Sequence, residues 1–268
     1  VPTERGPVEF AEIGEGPAAL VGHGTPGGYD QGLALAGLIP DAGLRFVAVS
    51  RPGYLGTPLE VGRTPPEQAD AFANLLDALG VERVAMVGLS GGGPSAWQFA
   101  LRHPDRCWAL ALISAITRQR PASQRSLGWR LFHKVILPSD FAAWLGVSLV
   151  RALMRPTPRR PVGRVGPEQS RRLMEATVPY AVRRAGHKND SEQFGALPES
   201  PPEGIRCPTL VVHGTADGAV PFTHAKASVA AIPGAELVTL PGGGHGAFFR
   251  SEAAMTRLAE FLAAHAPA

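Results

Sequence analysis

A serine with glycine two positions away on either side, Gly88-Leu89-Ser90-Gly91-Gly92, is the part of the chain best suited to chemistry. A serine hydroxyl is a weak nucleophile at neutral pH and needs a base, and the base needs a third group to orient it. A histidine with that freedom stands late in the chain, in Gly242-Gly243-Gly244-His245-Gly246. Glycine on both sides allows a loop that carries an imidazole over a neighbouring turn. Between the two lies His213-Gly214-Thr215-Ala216-Asp217-Gly218, which offers Asp217 as the orienting acid. The order Ser, Asp, His is that of a nucleophile raised on a strand-to-helix turn. Taken alone, Ser90 would also read as a helix N-cap; the two downstream partners favour the nucleophile.

Such residues must be held by strands that end beneath them. Residues 83–88 (RVAMVG) form a short apolar run leading into Ser90, and 93–103 read as the helix after it. Runs at 18–22, 45–50, 108–114, 208–213 and 236–240 have the same character of buried strands, and 8–13 alternates as an edge strand does. Helices fit 30–39, 222–232, 251–264 and 65–80, the last with Thr64 as N-cap, Pro65 in its first turn and Gly80 closing it. Strands alternating with helices imply an α/β fold, a mostly parallel central sheet with helices on both faces. From 117 to about 200 the alternation stops, and amphipathic pieces alternate with proline clusters. The reading is a core domain of 1–116 and 201–268, with residues 117–200 as an inserted helical cap.

The chain has 268 residues, 44% of them hydrophobic and 18% charged, enough for one large domain and too apolar for disorder. No apolar run is long enough to span a membrane. The opening residues, VPTERGPVEF, lack the apolar stretch of a secretory signal, which sets the cytoplasm as the expected compartment. No two histidines have ligand spacing with an acid or cysteine, so no metal is expected, and a serine nucleophile with its own base needs no cofactor. His103, His133, His187, His224 and His265 stand in polar or helical contexts and read as surface groups. Cys107 and Cys207 begin neighbouring strands and read as two buried thiols. The net charge of +3 hides a division: residues 117–188 hold 15 Lys and Arg against three acids, a balance of +12, and the remainder is acidic. This basic segment is read as a solvated surface, or as a rim that attracts anionic substrates.

Four motifs occur in order: His23-Gly24-Thr25-Pro26-Gly27-Gly28, Ser50-Arg51-Pro52-Gly53-Tyr54, the Ser90 turn, and the Asp217/His245 pair. With them the chain resembles the α/β-hydrolase fold superfamily, in its capped serine-esterase-like branch. The resemblance implies that the residue after the His-Gly pair, Thr25, and the residue after the nucleophile, Gly91, supply the N–H groups of an oxyanion hole. Each such donor is worth about 2.7–4 kcal/mol in the transition state. His23 is then an organiser of that loop rather than a base. The loop is similar to that of proline iminopeptidases, whose cap carboxylates bind a substrate amine; this cap has almost none, which disfavours that branch. Relatives with aspartate at the elbow, the haloalkane dehalogenases and epoxide hydrolases, are set aside by Ser90.

The resemblance therefore implies a serine hydrolase of carboxylic esters, working through an acyl-enzyme with a Ser90, His245 and Asp217 triad. A histidine base implies an acid limb in the rate profile, at roughly pKa 6–7. Hydrolysis of lactones or of carbon–carbon bonds in ring-cleavage products is the alternative chemistry, and a ligand sensor of slow turnover is the alternative class. Trp129, Phe141, Trp144 and Phe248 are the candidate substrate contacts, with Tyr180, Met154 and Phe194 further ones. An apolar roof made of such residues suits a small ester-like substrate with an apolar part. No nucleic acid is expected as a partner, and the oligomeric state is open.

Overall fold

The structure, a computed structural model, describes residues 1–40, 43–119, 140–141, 144–145, 148, 172–173, 175–199 and 203–267. Two short strands, β1 (Pro2–Thr3) and β2 (Gly6–Pro7), form a separate hairpin that periodicity did not reveal. The main sheet has seven strands: β3 (Phe10–Ile13), β4 (Ala18–Gly22), β5 (Arg45–Val49), β6 (Val84–Leu89), β7 (Cys107–Ile113), β8 (Thr209–Gly214) and β9 (Glu236–Leu240). Their order is β3-β5-β4-β6-β7-β8-β9. Only β3 runs antiparallel to its neighbour, and it lies at the edge. Every parallel strand from β4 to β8 is buried along nearly its whole length. This is why those segments read as unbroken apolar runs rather than as alternations.

The alternation reappears as a division of the core. Leu20, Met86, Leu110, Leu112 and Val211 face a cluster built with α2 (Pro65–Ala78), α3 (Gly93–Arg102) and α5 (Thr223–Ala231), through Phe72, Leu75, Leu76, Trp97, Phe99 and Ala225. Ala19, Val21, Ala85, Val87, Ala109 and Ala111 face the opposite side. There α1 (Tyr29–Ala36) and α6 (Glu252–His265) supply Leu35, Met255, Leu258, Phe261 and Leu262. Gly32 lets α1 lie close on that face, since a Cβ there would stand 2.7 Å from Ala48 Cβ. Helix α2 begins as its sequence implies: Thr64 Oγ1 accepts from the Glu67 N–H, and the Glu67 carboxylate accepts from the Thr64 N–H, a reciprocal capping box.

Between β7 and β8 the chain leaves the sheet. Among the described residues of 117–200 there is no strand, and the final helix is α4 (Arg184–Ala196). Residues near the two ends of this segment meet: Gln119 N–H donates to the Pro198 carbonyl (2.7 Å), and Gln119 Nε2 donates to the Gly195 carbonyl (2.9 Å). Cys107 is buried and Cys207 half-buried; both are free thiols, with their sulfurs 3.8 Å apart. Among the described residues no helix is long and apolar enough to cross a membrane.

Candidate active site

The register of the sheet brings the motif residues to one edge. Gly22 pairs with Gly88, and Gly214 pairs with Leu240. The segments that follow β4, β6, β8 and β9 therefore emerge side by side at the carboxyl ends of the strands, where open α/β sheets form their crevice.

Ser90 sits between β6 and α3 with φ +49°, an uncommon conformation for a residue with a side chain. Close packing around the turn explains its glycines. A Cβ at Gly92 would stand 2.2 Å from the Gly22 carbonyl oxygen, and one at Gly88 would stand 2.7 Å from Ala96 Cβ. Neither neighbour can move without displacing a strand or a helix.

His245 Nε2 lies 3.0 Å from Ser90 Oγ, and Nδ1 lies 2.8 Å from Asp217 Oδ2. The carboxylate can only accept at neutral pH, so Nδ1 carries the proton and Nε2 is free to accept from the serine. The Asp217 side chain is fully buried, whereas that of His245 is 36% exposed. The carboxylate is thus shielded from water while the imidazole stays partly exposed. The other Asp217 oxygen, Oδ1, accepts from the N–H groups of Ala219 (2.8 Å) and Val220 (2.9 Å). His213 Nε2 is shared between the Val220 carbonyl (2.9 Å) and Asp217 Oδ2 (3.3 Å). Burial by itself would raise the Asp217 pKa. The hydrogen bonds from His213 and His245, with the nearby imidazole charge and the Val220 N–H, outweigh it and hold the carboxyl far below its usual range.

The loop after β4 passes beside the serine: a Cβ at Gly24 would be 3.3 Å from Ser90 Cβ. His23 is buried and organises this loop. Its Nε2 accepts from the Arg51 N–H (3.0 Å), so Nδ1 bears the proton and donates to the Gly24 carbonyl (2.7 Å). Burial, followed by the charge of Arg51, pushes its pKa well below the ordinary histidine value, which keeps the ring neutral. The Gly24 N–H in turn donates to Gln31 Oε1 (2.7 Å), on α1.

The proposed substrate contacts are scattered. Phe141 and Trp144 are 70% and 56% exposed, their rings 6.0 Å apart. Phe248 is 1% exposed and packs in the α6-side core beside Phe249, so it is placed as a packing residue. Trp129 and Met154 lie outside the described residues, as does His133. Phe194, on α4, lies against the serine turn; a Cβ on Gly91 would stand 3.0 Å from its Cζ. Tyr180 is buried, its hydroxyl 2.9 Å from His187 Nδ1. His187 and His224 read as surface groups from their polar surroundings, yet both are buried. His224 Nδ1 accepts from the Thr117 N–H, just after β7. Sequence reasoning missed Asp190 on α4, a buried acid 139 residues from the Arg51 it pairs with. Nothing in the polar run around it announces a partner so distant. Among the described residues no group of three or more His, Cys, Asp or Glu is placed to hold a metal ion.

A family model of the alpha/beta hydrolase fold matches residues 18–252, every strand of the main sheet but β3. The chain belongs to that family. The Bacillus subtilis hydrolase YcgS is 29% identical over 94% of this chain and 93% of its own length. A 2-hydroxy-6-oxononadienedioate/2-hydroxy-6-oxononatrienedioate hydrolase of Comamonas testosteroni is 27% identical over 96% of this chain and 91% of its own. Among solved structures, an alpha/beta hydrolase fold protein from Nakamurella multipartita superposes with a TM-score of 0.76, at 35% identity over 98% of both chains. Family membership agrees with the mostly parallel sheet and its flanking helices.

Proposed function

We propose that this protein is a serine hydrolase of carboxylic esters. The observation that carries the reading is the continuous line from Ser90 Oγ through both His245 nitrogens to a buried Asp217. Ser90 Oγ attacks the ester carbonyl carbon while its proton passes to His245 Nε2. The N–H groups of Thr25 and Gly91 bind the oxyanion, the Thr25 loop and the elbow being adjacent. The tetrahedral adduct collapses to an acyl-enzyme, and the alcohol leaves with the proton from His245. Water then gives its proton to His245 and attacks the acyl carbon; the adduct collapses, His245 returns the proton to Ser90 Oγ, and the carboxylic acid departs. Asp217 holds the imidazole tautomer and stabilises the imidazolium throughout. These side chains, two backbone N–H groups and water suffice for the cycle. The 117–200 insert, rooted beside the elbow, is the cap that shapes the substrate pocket, and the substrate is a small ester with an apolar part.

Wild-type protein is expected to turn over short-chain p-nitrophenyl esters repeatedly, and Ser90→Ala to abolish that turnover. No turnover above background, or an active Ser90→Ala, sinks the proposal. The relatedness to a Comamonas hydrolase whose name specifies an oxo-dienedioate substrate supports a second reading, carbon–carbon hydrolysis of a ring-cleavage product at the same serine. A parallel assay with such a dienoate and with lactones separates the two, the better substrate being the one with the larger kcat/KM.

A further inference from the structure

The oxyanion loop is tied to the insert by a buried ionic cluster. Asp190, on α4, is 2% exposed, Arg51 is 1% and Tyr54 is fully buried. Arg51 grips the carboxylate with both guanidinium nitrogens, Nη1 to Oδ1 at 2.9 Å and Nη2 to Oδ2 at 2.6 Å. Tyr54 donates its hydroxyl to Oδ2 at 2.6 Å, and Thr25 Oγ1 donates to the same oxygen. Arg51 also touches three consecutive residues of the loop. Its Nε donates to the His23 carbonyl (3.0 Å), and Nη2 reaches the Gly24 carbonyl (3.4 Å) and Thr25 Oγ1 (3.0 Å). Burial and then the charge of Asp190 drive the Tyr54 pKa well up, so its hydroxyl remains a donor.

The same helix reaches the other side of the oxyanion site. One turn beyond Asp190, Phe194 lies against Gly91, where an added Cβ would also come 2.0 Å from Thr25 Oγ1. The helix start is pinned to the turn after Arg51, with Gly186 N–H donating to the Gly53 carbonyl (2.8 Å) and Leu55 N–H to the Val182 carbonyl (2.9 Å).

We infer that Asp190 is a positioning residue for the oxyanion hole, through which the last helix of the insert sets the place of Thr25. This rests on the proposed acyl-transfer reading. The carboxylate neutralises the guanidinium that orders residues 23–25 and fixes the Thr25 side chain. The Thr25 N–H is thereby held where the oxyanion forms, while the hydroxyl is committed to Asp190. Positioning errors of about 1 Å, or loss of one oxyanion donor, cost on the order of 100-fold in rate.

Thr25→Val and Asp190→Asn are each expected to lower kcat about 10- to 100-fold with KM changed less than threefold. Thr25→Ser, which keeps the donor, is expected to retain most of the activity. The double variant Thr25→Val/Asp190→Asn should fall no further than Asp190→Asn alone, since both changes break one link. Hydrogen exchange of the 23–28 amides should quicken in both single variants and stay unchanged in Ser90→Ala. This exchange needs no substrate, so it tests the link even where ester turnover fails. Wild-type kcat in folded Thr25→Val, equal activity of the serine and valine variants, multiplicative losses in the double variant, or unaltered exchange each overturn the inference. Should Asp190→Asn not fold, the comparison of the two Thr25 variants decides.

Discussion

Replacing Asp217 by asparagine tests the triad most severely, because the structure dictates how the amide must sit. Oδ1 accepts from two main-chain N–H groups, Ala219 at 2.8 Å and Val220 at 2.9 Å, while Oδ2 meets His245 Nδ1 at 2.8 Å. Asparagine has one oxygen and one NH2 to divide between these places. If the NH2 took the Oδ1 place, two buried main-chain donors would face another donor, at about 1–3 kcal/mol each. The oxygen therefore stays at Oδ1, and the NH2 points at His245 Nδ1. That nitrogen must then accept, which moves the ring proton to Nε2, 3.0 Å from Ser90 Oγ, and the base is lost. No water relieves this arrangement, since the Asp217 side chain is fully buried. A tautomer error of this kind costs on the order of 10,000-fold in kcat, about 5.4 kcal/mol. The assay is kcat and KM for p-nitrophenyl butyrate at pH 7.5, with near-ultraviolet circular dichroism to establish that the variant folds. A folded Asp217→Asn within tenfold of wild type would refute the assignment of Asp217 as the orienting acid.

Gly88→Ala should destabilise by about 1–3 kcal/mol, because its Cβ would press on Ala96 Cβ at 2.7 Å and on Gly93 Cα at 3.1 Å; a urea midpoint equal to wild type would contradict this. His23 carries a pH signature. Its folded pKa lies well below the ordinary value, so on acidification the unfolded chain takes up the proton first. The resulting stability is complete above about pH 6.5 and declines below it by up to about 1.4 kcal/mol per pH unit, until the folded pKa is reached. His23→Gln is expected to flatten the slope of unfolding free energy between pH 6.5 and 5, measured by urea titration; an unchanged slope would show that His23 is not the group responsible. Asp217, whose folded pKa is depressed, acts in a separate window: its contribution is present above about pH 3.9 and lost below it.

The parallel strands were legible as continuous apolar runs, and their observed ends fall within a residue or two of the expected ones. Thr64 was legible as a cap because capping is local: hydroxyl, N–H and Glu67 lie within one turn. The meeting of Ser90, Asp217 and His245 was legible because each follows a strand and has glycine nearby where the chain must turn tightly. His187 and His224 were misplaced at the surface, since polar neighbours in sequence do not reveal what packs over them in space. The aromatic contacts were chosen by residue type alone, and type does not separate Phe248, in the core, from Phe194, against the elbow.

By itself the sequence determined which residues could do chemistry and which strands would carry them, because strand period, turn glycines and caps act over a few residues. Only the tertiary structure decided the hydrogen-bonded order from Ser90 to Asp217, the tautomers of His23 and His245, and the union of Asp190 with Arg51, Tyr54 and Thr25. A charge buried in a low-dielectric interior must find its partner in space, however far apart the two lie along the chain. Across 139 residues, local pattern carries no record of that pairing, and folding creates it.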